Sequence, residues 1–290
     1  MRSNTKWVAV FAFVAVAAAA AYLFVPGLLN GDEAPEGDTL VLVERSGRFS
    51  ILYDNNPFNG SCATEWGFSC LVELGDETIL FDTGRDPEVF ARNVDALGVD
   101  LAEVDHLVLS HEHWDHVGGL GVVLEAGGDL TVYLPRSFPY HLKSRVRDSE
   151  ATLVETWDAT LVCPGVATTR VLEAEPNEQA LMVNTGGGLV LVTGCSHPGV
   201  QNLVRAAEEA TGLEVLMVFG GFHLGGADRA SLDGLVAELK GLGVEVAAPT
   251  HCSGDLARLA FREGYGEDYL ELGAGWRMGL LNPNNQPRKR

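Results

Sequence analysis

The chain has 290 residues, 46% of them hydrophobic, enough for one large domain or two small ones with a substantial core. Forty acidic against 20 basic side chains give a net charge of −20, a surface that repels phosphate backbones and disfavours a nucleic-acid partner. The last three residues, Arg288-Lys289-Arg290, are the one basic run; they follow NPNNQP, and 282–290 reads as a disordered tail.

In chain order, Arg2 and Lys6 precede an apolar run, Trp7–Val25, closed by Pro26-Gly27. As a helix the run would span about 28 Å, close to a bilayer core. A cleaved signal peptide has a shorter apolar region of about 7–15 residues, and Tyr22–Val25 carries this run past its small-residue stretch, Ala17–Ala21. Residues 1–30 are therefore expected to form a transmembrane signal anchor, with signal cleavage as the alternative. Either way the basic flank stays in the cytoplasm and the domain is extracytoplasmic. GDEAPEGD, at 31–38, reads as a linker to a domain over 39–281.

Thr39–Val43 and Phe49–Tyr53 are predicted as first strands, and Asp54–Phe68 as a long loop bordering a pocket. Ser69–Leu74 and Thr78–Phe81 form a predicted hairpin, Pro87–Leu97 a helix with proline in its first turn, and Val104–Leu109 a buried strand. Thr131–Leu134 is a further strand, and 135–160 a polar insert with a short helix. Strands Ala180–Asn184, Leu189–Thr193, Val215–Phe219 and Val244–Ala248 follow, interleaved with helices Val200–Ala210 and Ser231–Leu242. Helix Leu256–Glu263 and strand Tyr269–Leu272 end the pattern. Such mixed strands and helices in two similar halves imply two packed sheets covered by helices on both outer faces.

Strand Val104–Leu109 runs into HEHWDH, with His111, His113, Asp115 and His116 within six residues. Imidazole and carboxylate are the ligand set of zinc and related ions. Three further turns, each at a strand end, carry a histidine: His197 in GCSHPG, His223 in GGFHLGG and His251 in PTHCSG. Any one alone would read as a structural histidine; together with HEHWDH they point to a common centre. His106 and His141 are assigned to structure. Cys62 and Cys70 bracket a short loop and could bridge if the domain faces an oxidising compartment.

HEHWDH fits the H-x-H-x-D-H signature of the metallo-β-lactamase-fold superfamily, which the chain resembles over roughly residues 39–275. That resemblance implies an α+β, αββα sandwich of two mixed β-sheets flanked by helices. It implies one or two divalent metal ions, zinc foremost, with His111, His113 and His197 on one and Asp115, His116 and His251 on the other. Asp82 in FDTG matches the family's first motif and would orient the ligand loop from behind. With six positions filling the ligand set, Cys195 and Cys252 are left a supporting role. Where family hydrolases often carry a bridging Asp, the chain has His223, as a ligand or as a donor to substrate; Asp228 reads as a helix cap.

Together with EWGFS at Glu65–Ser69, these motifs resemble the subgroup containing the dihydropterin–aminobenzene ribofuranosyl-phosphate synthases and related metal-dependent hydrolases. The expected chemistry is hydrolysis of a small-molecule ester, lactone, amide or phosphoester by a metal-activated hydroxide. Asp115 and His223 are the catalytic candidates; Glu65, Trp66 and Phe68 are the substrate contacts. The alternatives are a pterin-type transferase displacing pyrophosphate, for which the sequence shows no clustered basic residues, and a non-catalytic metal-binding sensor.

Overall fold

The computed structural model describes residues 39–280, within one of the two units into which the chain divides, 37–290. The first half contains β1 (Gly47–Tyr53), β2 (Ser69–Glu73), β3 (Thr78–Phe81), α1 (Pro87–Leu97), β4 (His106–Val108), α2 (Trp114–Val117), α3 (Leu120–Ala126), β5 (Thr131–Pro135), α4 (Tyr140–Arg147) and β6 (Thr152–Thr156). The second contains β7 (Thr160–Cys163), β8 (Val166–Thr168), β9 (Leu181–Asn184), β10 (Leu189–Thr193), α5 (Val200–Thr211), β11 (Val215–Gly221), α6 (Arg229–Gly241), β12 (Val246–Thr250), α7 (Asp255–Tyr265) and β13 (Arg277–Leu280). One sheet has the order β13-β1-β2-β3-β4-β5-β6, the other β12-β11-β10-β9-β8-β7. Both mix parallel and antiparallel pairs, giving the expected α+β, αββα sandwich.

Strand alternation builds the layers. Along β10, Val190 and Val192 face the other sheet with Phe49, Ile51, Phe81 and Phe219. Leu189 and Leu191 face outward, against Leu203 and Val204 of α5 and Phe261 of α7. Phe49 meets Phe219 edge-on at 5.4 Å, a geometry worth roughly 0.5–1.5 kcal/mol beyond area burial. On the other sheet, Leu52, Leu80 and Leu107 pack outward against Phe90 of α1 and Leu120 of α3.

Several expected elements move. Thr39–Val43 alternates like a strand, with Val41 exposed and Leu42 buried. It pairs instead with a helix end and a side chain: Leu40 donates its N–H to the Ala210 carbonyl, and the Asn184 amide to the Leu42 carbonyl. The polar 135–160 stretch holds α4 but also β6, an edge strand that is half exposed. The last strand is β13 rather than Tyr269–Leu272, and it pairs antiparallel with β1. Cys62 and Cys70 are not joined, because Cys70 points into the core between the sheets.

Among the described residues no helix is long and apolar enough to cross a membrane. α6, with 13 residues, would reach about 20 Å against a hydrocarbon core of about 30 Å. The expected membrane-anchored, extracytoplasmic protein is corrected to this extent: the described residues contain no spanning helix, and the Trp7–Val25 run itself lies outside them, as do the expected linker over 31–38 and tail over 282–290.

Candidate metal centre

Strands β3, β4, β5 and β6 run parallel, as do β10, β11 and β12, so the turns leaving them emerge on one rim of each sheet. β3 delivers Asp82; β4 delivers Ser110 and His111, followed by α2 with Asp115 and His116. β10 delivers Cys195 and His197, β11 His223, and β12 His251. The four described non-glycine residues with positive φ all lie in these turns: Asp82 (55°), Ser196 (60°), His223 (50°) and His251 (48°). Each such conformation costs on the order of 1–3 kcal/mol and persists only where its surroundings impose it.

The neighbours of the imidazoles fix their protons. Asp82, fully buried, accepts the Ser110 N–H and the Ser110 hydroxyl, each at 2.7 Å, and lies 2.7 Å from Nδ1 of His116. Since Ser110 Oγ gives its proton to Asp82, Nδ1 of His111, 2.8 Å away, must donate to it. The close seat of Ser110 requires Gly194, where a Cβ would stand 2.2 Å from Ser110 Oγ. His251 places Nδ1 2.8 Å from Oδ1 of Asn55, whose amide donates to the His251 carbonyl. His111, His116 and His251 thus all hold a proton at Nδ1 and turn Nε2 inward.

There, Nε2 of His111, His197 and His251 are buried without a hydrogen-bond partner. A buried polar atom left unpaired costs about 1–3 kcal/mol. Donor atoms of Asp115, His116, Cys195 and His251 lie within 4.8 Å of one another, as do those of His111, Cys195 and His197, and those of Cys195, His223 and Cys252. The His113 ring stands 4.9 Å from that of His111 and 4.8 Å from that of His197. Oδ2 of Asp115 is 3.3 Å from Nε2 of His251 and 3.8 Å from Nε2 of His116. Orphaned imidazole nitrogens beside a carboxylate and a thiol suit one or two divalent cations. A separate group at the other end of β4, with His106, Glu77 and Cys163, has Nε2 of His106 occupied by Glu77 at 3.0 Å.

Electrostatics follow from this crowding. Burial, then the neighbouring imidazoles, push His111 and His113 below the ordinary histidine range, and His197 down to about 4. Burial also opposes charge on Asp115, but the close His251 ring, 3.3 Å from Oδ2, and the charge of His116 prevail and hold it well below the usual carboxylate range. For His116 burial is outweighed by the Asp82 carboxylate, which lifts it to about 9. His223 is raised, first by its contact with Cys252.

Asp115, Cys195, Cys252, His113, His197 and His223 line a cavity of about 190 Å³, walled by Trp66 and Trp114. The Trp66 ring stands 4.9 Å from that of His251. Two expected substrate contacts lie elsewhere. Phe68 is fully buried between the sheets against Phe81, since the strand it introduces turns its ring inward. Glu65 is not among the lining residues; it faces solvent and pairs with Arg85 at 3.5 Å. Asp228 caps α6 by accepting the Ser231 N–H.

Sequence reasoning missed several participants. Glu178, fully buried, accepts the N–H groups of Cys195, Ser196 and His197 at 2.7–2.9 Å and so shapes the GCSH turn. Burial raises it to about 7 despite those bonds. An acid at the mouth of a buried strand was the available signal. Trp114 was visible within HEHWDH itself. Arg85, 4.3 Å over the Trp114 ring, and Arg145 share a neighbouring hollow of about 550 Å³ on the far side of Trp114.

Comparison with known proteins agrees with this geometry. The metallo-β-lactamase superfamily pattern matches residues 67–210. A 7,8-dihydropterin-6-methyl-4-(β-D-ribofuranosyl)-aminobenzene-5′-phosphate synthase from Methanocaldococcus jannaschii is 28% identical over 276 residues, covering 78% of this chain and 94% of that protein. The crystal structure of Tm1679, a metal-dependent hydrolase of the β-lactamase superfamily, matches with a TM-score of 0.67 at 26% identity, covering 80% of this chain and 98% of the other. The metallo-β-lactamase fold protein YhfI from Bacillus subtilis shares the fold, with a TM-score of 0.61 at 14% identity over 81% of this chain and 99% of its own.

Proposed function

Because this chain belongs to the metallo-β-lactamase superfamily, we propose that it is a metal-dependent hydrolase of small-molecule esters, lactones, amides or phosphoesters. The observation that carries this reading is the meeting of bare, buried Nε2 atoms from His111, His197 and His251, supplied by strands of both sheets. His111, His113 and His197 would hold one divalent ion and Asp115, His116 and His251 a second, zinc being the first candidate. When bound, such ions acidify water and polarise a substrate oxygen. Asp82, Ser110 and Asn55 keep the imidazole protons at Nδ1 and the lone pairs at Nε2.

Asp115, held ionised, accepts a hydrogen bond from the attacking water and aims it. His223, exposed at the mouth with its ring 4.4 Å from that of His197, donates a ring proton to the leaving oxygen or, in an amide, nitrogen. Trp66 and Trp114 offer flat apolar walls that exclude bulk water and seat an apolar or planar substrate. Superfamily membership does not fix the bond cleaved. The full chain is to be assayed, before and after chelation, on ester, lactone, amide, phosphodiester and β-lactam panels. Turnover lost with the metal and restored by zinc is expected; no metal-dependent turnover on any panel contradicts the reading.

A second reading, a transferase displacing pyrophosphate, has one observation in its favour beyond the 28% identity to the synthase. Arg85 and Arg145 share one hollow beside the cavity, a basic pair that a diphosphate leaving group would need and that lies 60 positions apart in sequence. Pyrophosphate release from a pterin diphosphate, in place of hydrolysis of the panels, selects this reading.

A further inference from the structure

We propose that Cys195 is itself a metal ligand, its thiolate shared between the two donor sets that meet at the rim. This rests on the metal-centre reading above and goes beyond it, since the family likeness leaves Cys195 only a supporting place. Cys195 follows Gly194 at the end of β10, is 3% exposed, and has its backbone pinned by its N–H to Glu178. Its sulfur lies within ligand reach of Asp115, His116 and His251 on one side and of His111 and His197 on the other. Among the described residues no other side chain belongs to both sets.

The distances fit. Sγ stands 3.2 Å from Nε2 of His116. Two donors of one tetrahedral zinc, with zinc–sulfur about 2.3 Å and zinc–nitrogen about 2.0–2.1 Å, stand about 3.5 Å apart. The second observation is independent of the cysteine: Nε2 of His111 and of His251, both on side chains that are nine-tenths or more buried, are unpartnered within these same two groups. An ion that satisfies either nitrogen therefore lies beside the Cys195 sulfur.

On binding, Cys195–SH and M²⁺ give Cys195–S–M⁺ and a proton released to solvent; no electron moves. Cys252, its Sγ in hydrogen-bond contact with that of Cys195 at 3.3 Å, receives the His223 backbone N–H at 3.3 Å. It supports the thiolate without replacing it. A sulfur donor shared by both sets selects thiophilic ions of the zinc, cobalt and iron kind over magnesium or calcium.

The test strips the full chain with chelator and reloads it with cobalt(II). The wild type is expected to show visible d–d bands together with a near-ultraviolet sulfur-to-cobalt band. Cys195→Ser is expected to lose the sulfur band, keep the visible bands and bind zinc at least tenfold more weakly, while Cys252→Ser keeps both bands. X-ray absorption of the zinc-loaded wild type, which needs no variant to fold, is expected to show sulfur at about 2.3 Å beside nitrogen and oxygen. Visible bands without the sulfur band, a zinc shell of nitrogen and oxygen alone, or a sulfur band that survives Cys195→Ser or vanishes only in Cys252→Ser overturns the proposal. Failure to take up cobalt or zinc at all overturns the metal reading beneath it, a separate result.

Discussion

Asp82 sets the proton positions of His116 directly and of His111 through Ser110. Its carboxylate accepts from Ser110 twice and from His116; an amide of the same size would turn donors toward Ser110 Oγ and Nδ1 of His116, and the imidazole would lose its orientation. Asp82→Asn is expected to lower metal affinity by about 10–100-fold, read by competition with a chromophoric chelator; unchanged affinity contradicts the role. Glu178→Ala strands three backbone N–H groups, two of them buried at a cost of about 1–3 kcal/mol each. A large fall in the denaturant midpoint is expected, and wild-type stability would show that the GCSH turn holds without the acid. At this scale the sequence discloses ligands that are contiguous, as in HEHWDH. It hides Glu178, whose partners are backbone groups 17 to 19 residues away, and Asn55, whose partner lies 196 residues on.

Elements with local punctuation were legible in the sequence. α1 runs over the expected Pro87–Leu97 because Asp86 caps its start, accepting the N–H groups of Glu88 and Val89, and Gly98 closes it at φ 67°. Elements whose edges are set by distant partners were not: β6 is a half-exposed edge strand, and Thr39–Val43 carries a strand pattern but finds no strand beside it. The ligand helix α2 depends on one close approach. A Cβ at Gly118 would stand 1.7 Å from the Arg85 carbonyl oxygen, whereas one at Gly60 would meet nothing within 4 Å. Gly118→Ala is expected to cost about 1–3 kcal/mol or more, and Gly60→Ala to stay within about 0.5 kcal/mol of wild type. Equal midpoints for the two in denaturant titration contradict this seat for the loop.

For the molecule as a whole, the sequence discloses the sandwich because apolar strands alternate and end in histidine turns. It does not disclose that β13 returns to β1, since that pairing joins positions more than two hundred residues apart. The donors come from both sheets, so an ion held among them ties the sheets together at the rim. Chelation is expected to lower the thermal midpoint, and saturating zinc at a hundred times its dissociation constant to return about 2.7 kcal/mol; a midpoint indifferent to both would place the ions outside the fold.

The most direct measurement is the metal content of the purified full chain after zinc loading and removal of free ion, beside His111→Ala and His251→Ala. One or two zinc ions per wild-type chain are expected, with clear loss in both variants. A wild-type chain that retains no zinc, or variants that retain as much as it does, contradicts a centre built from these histidines.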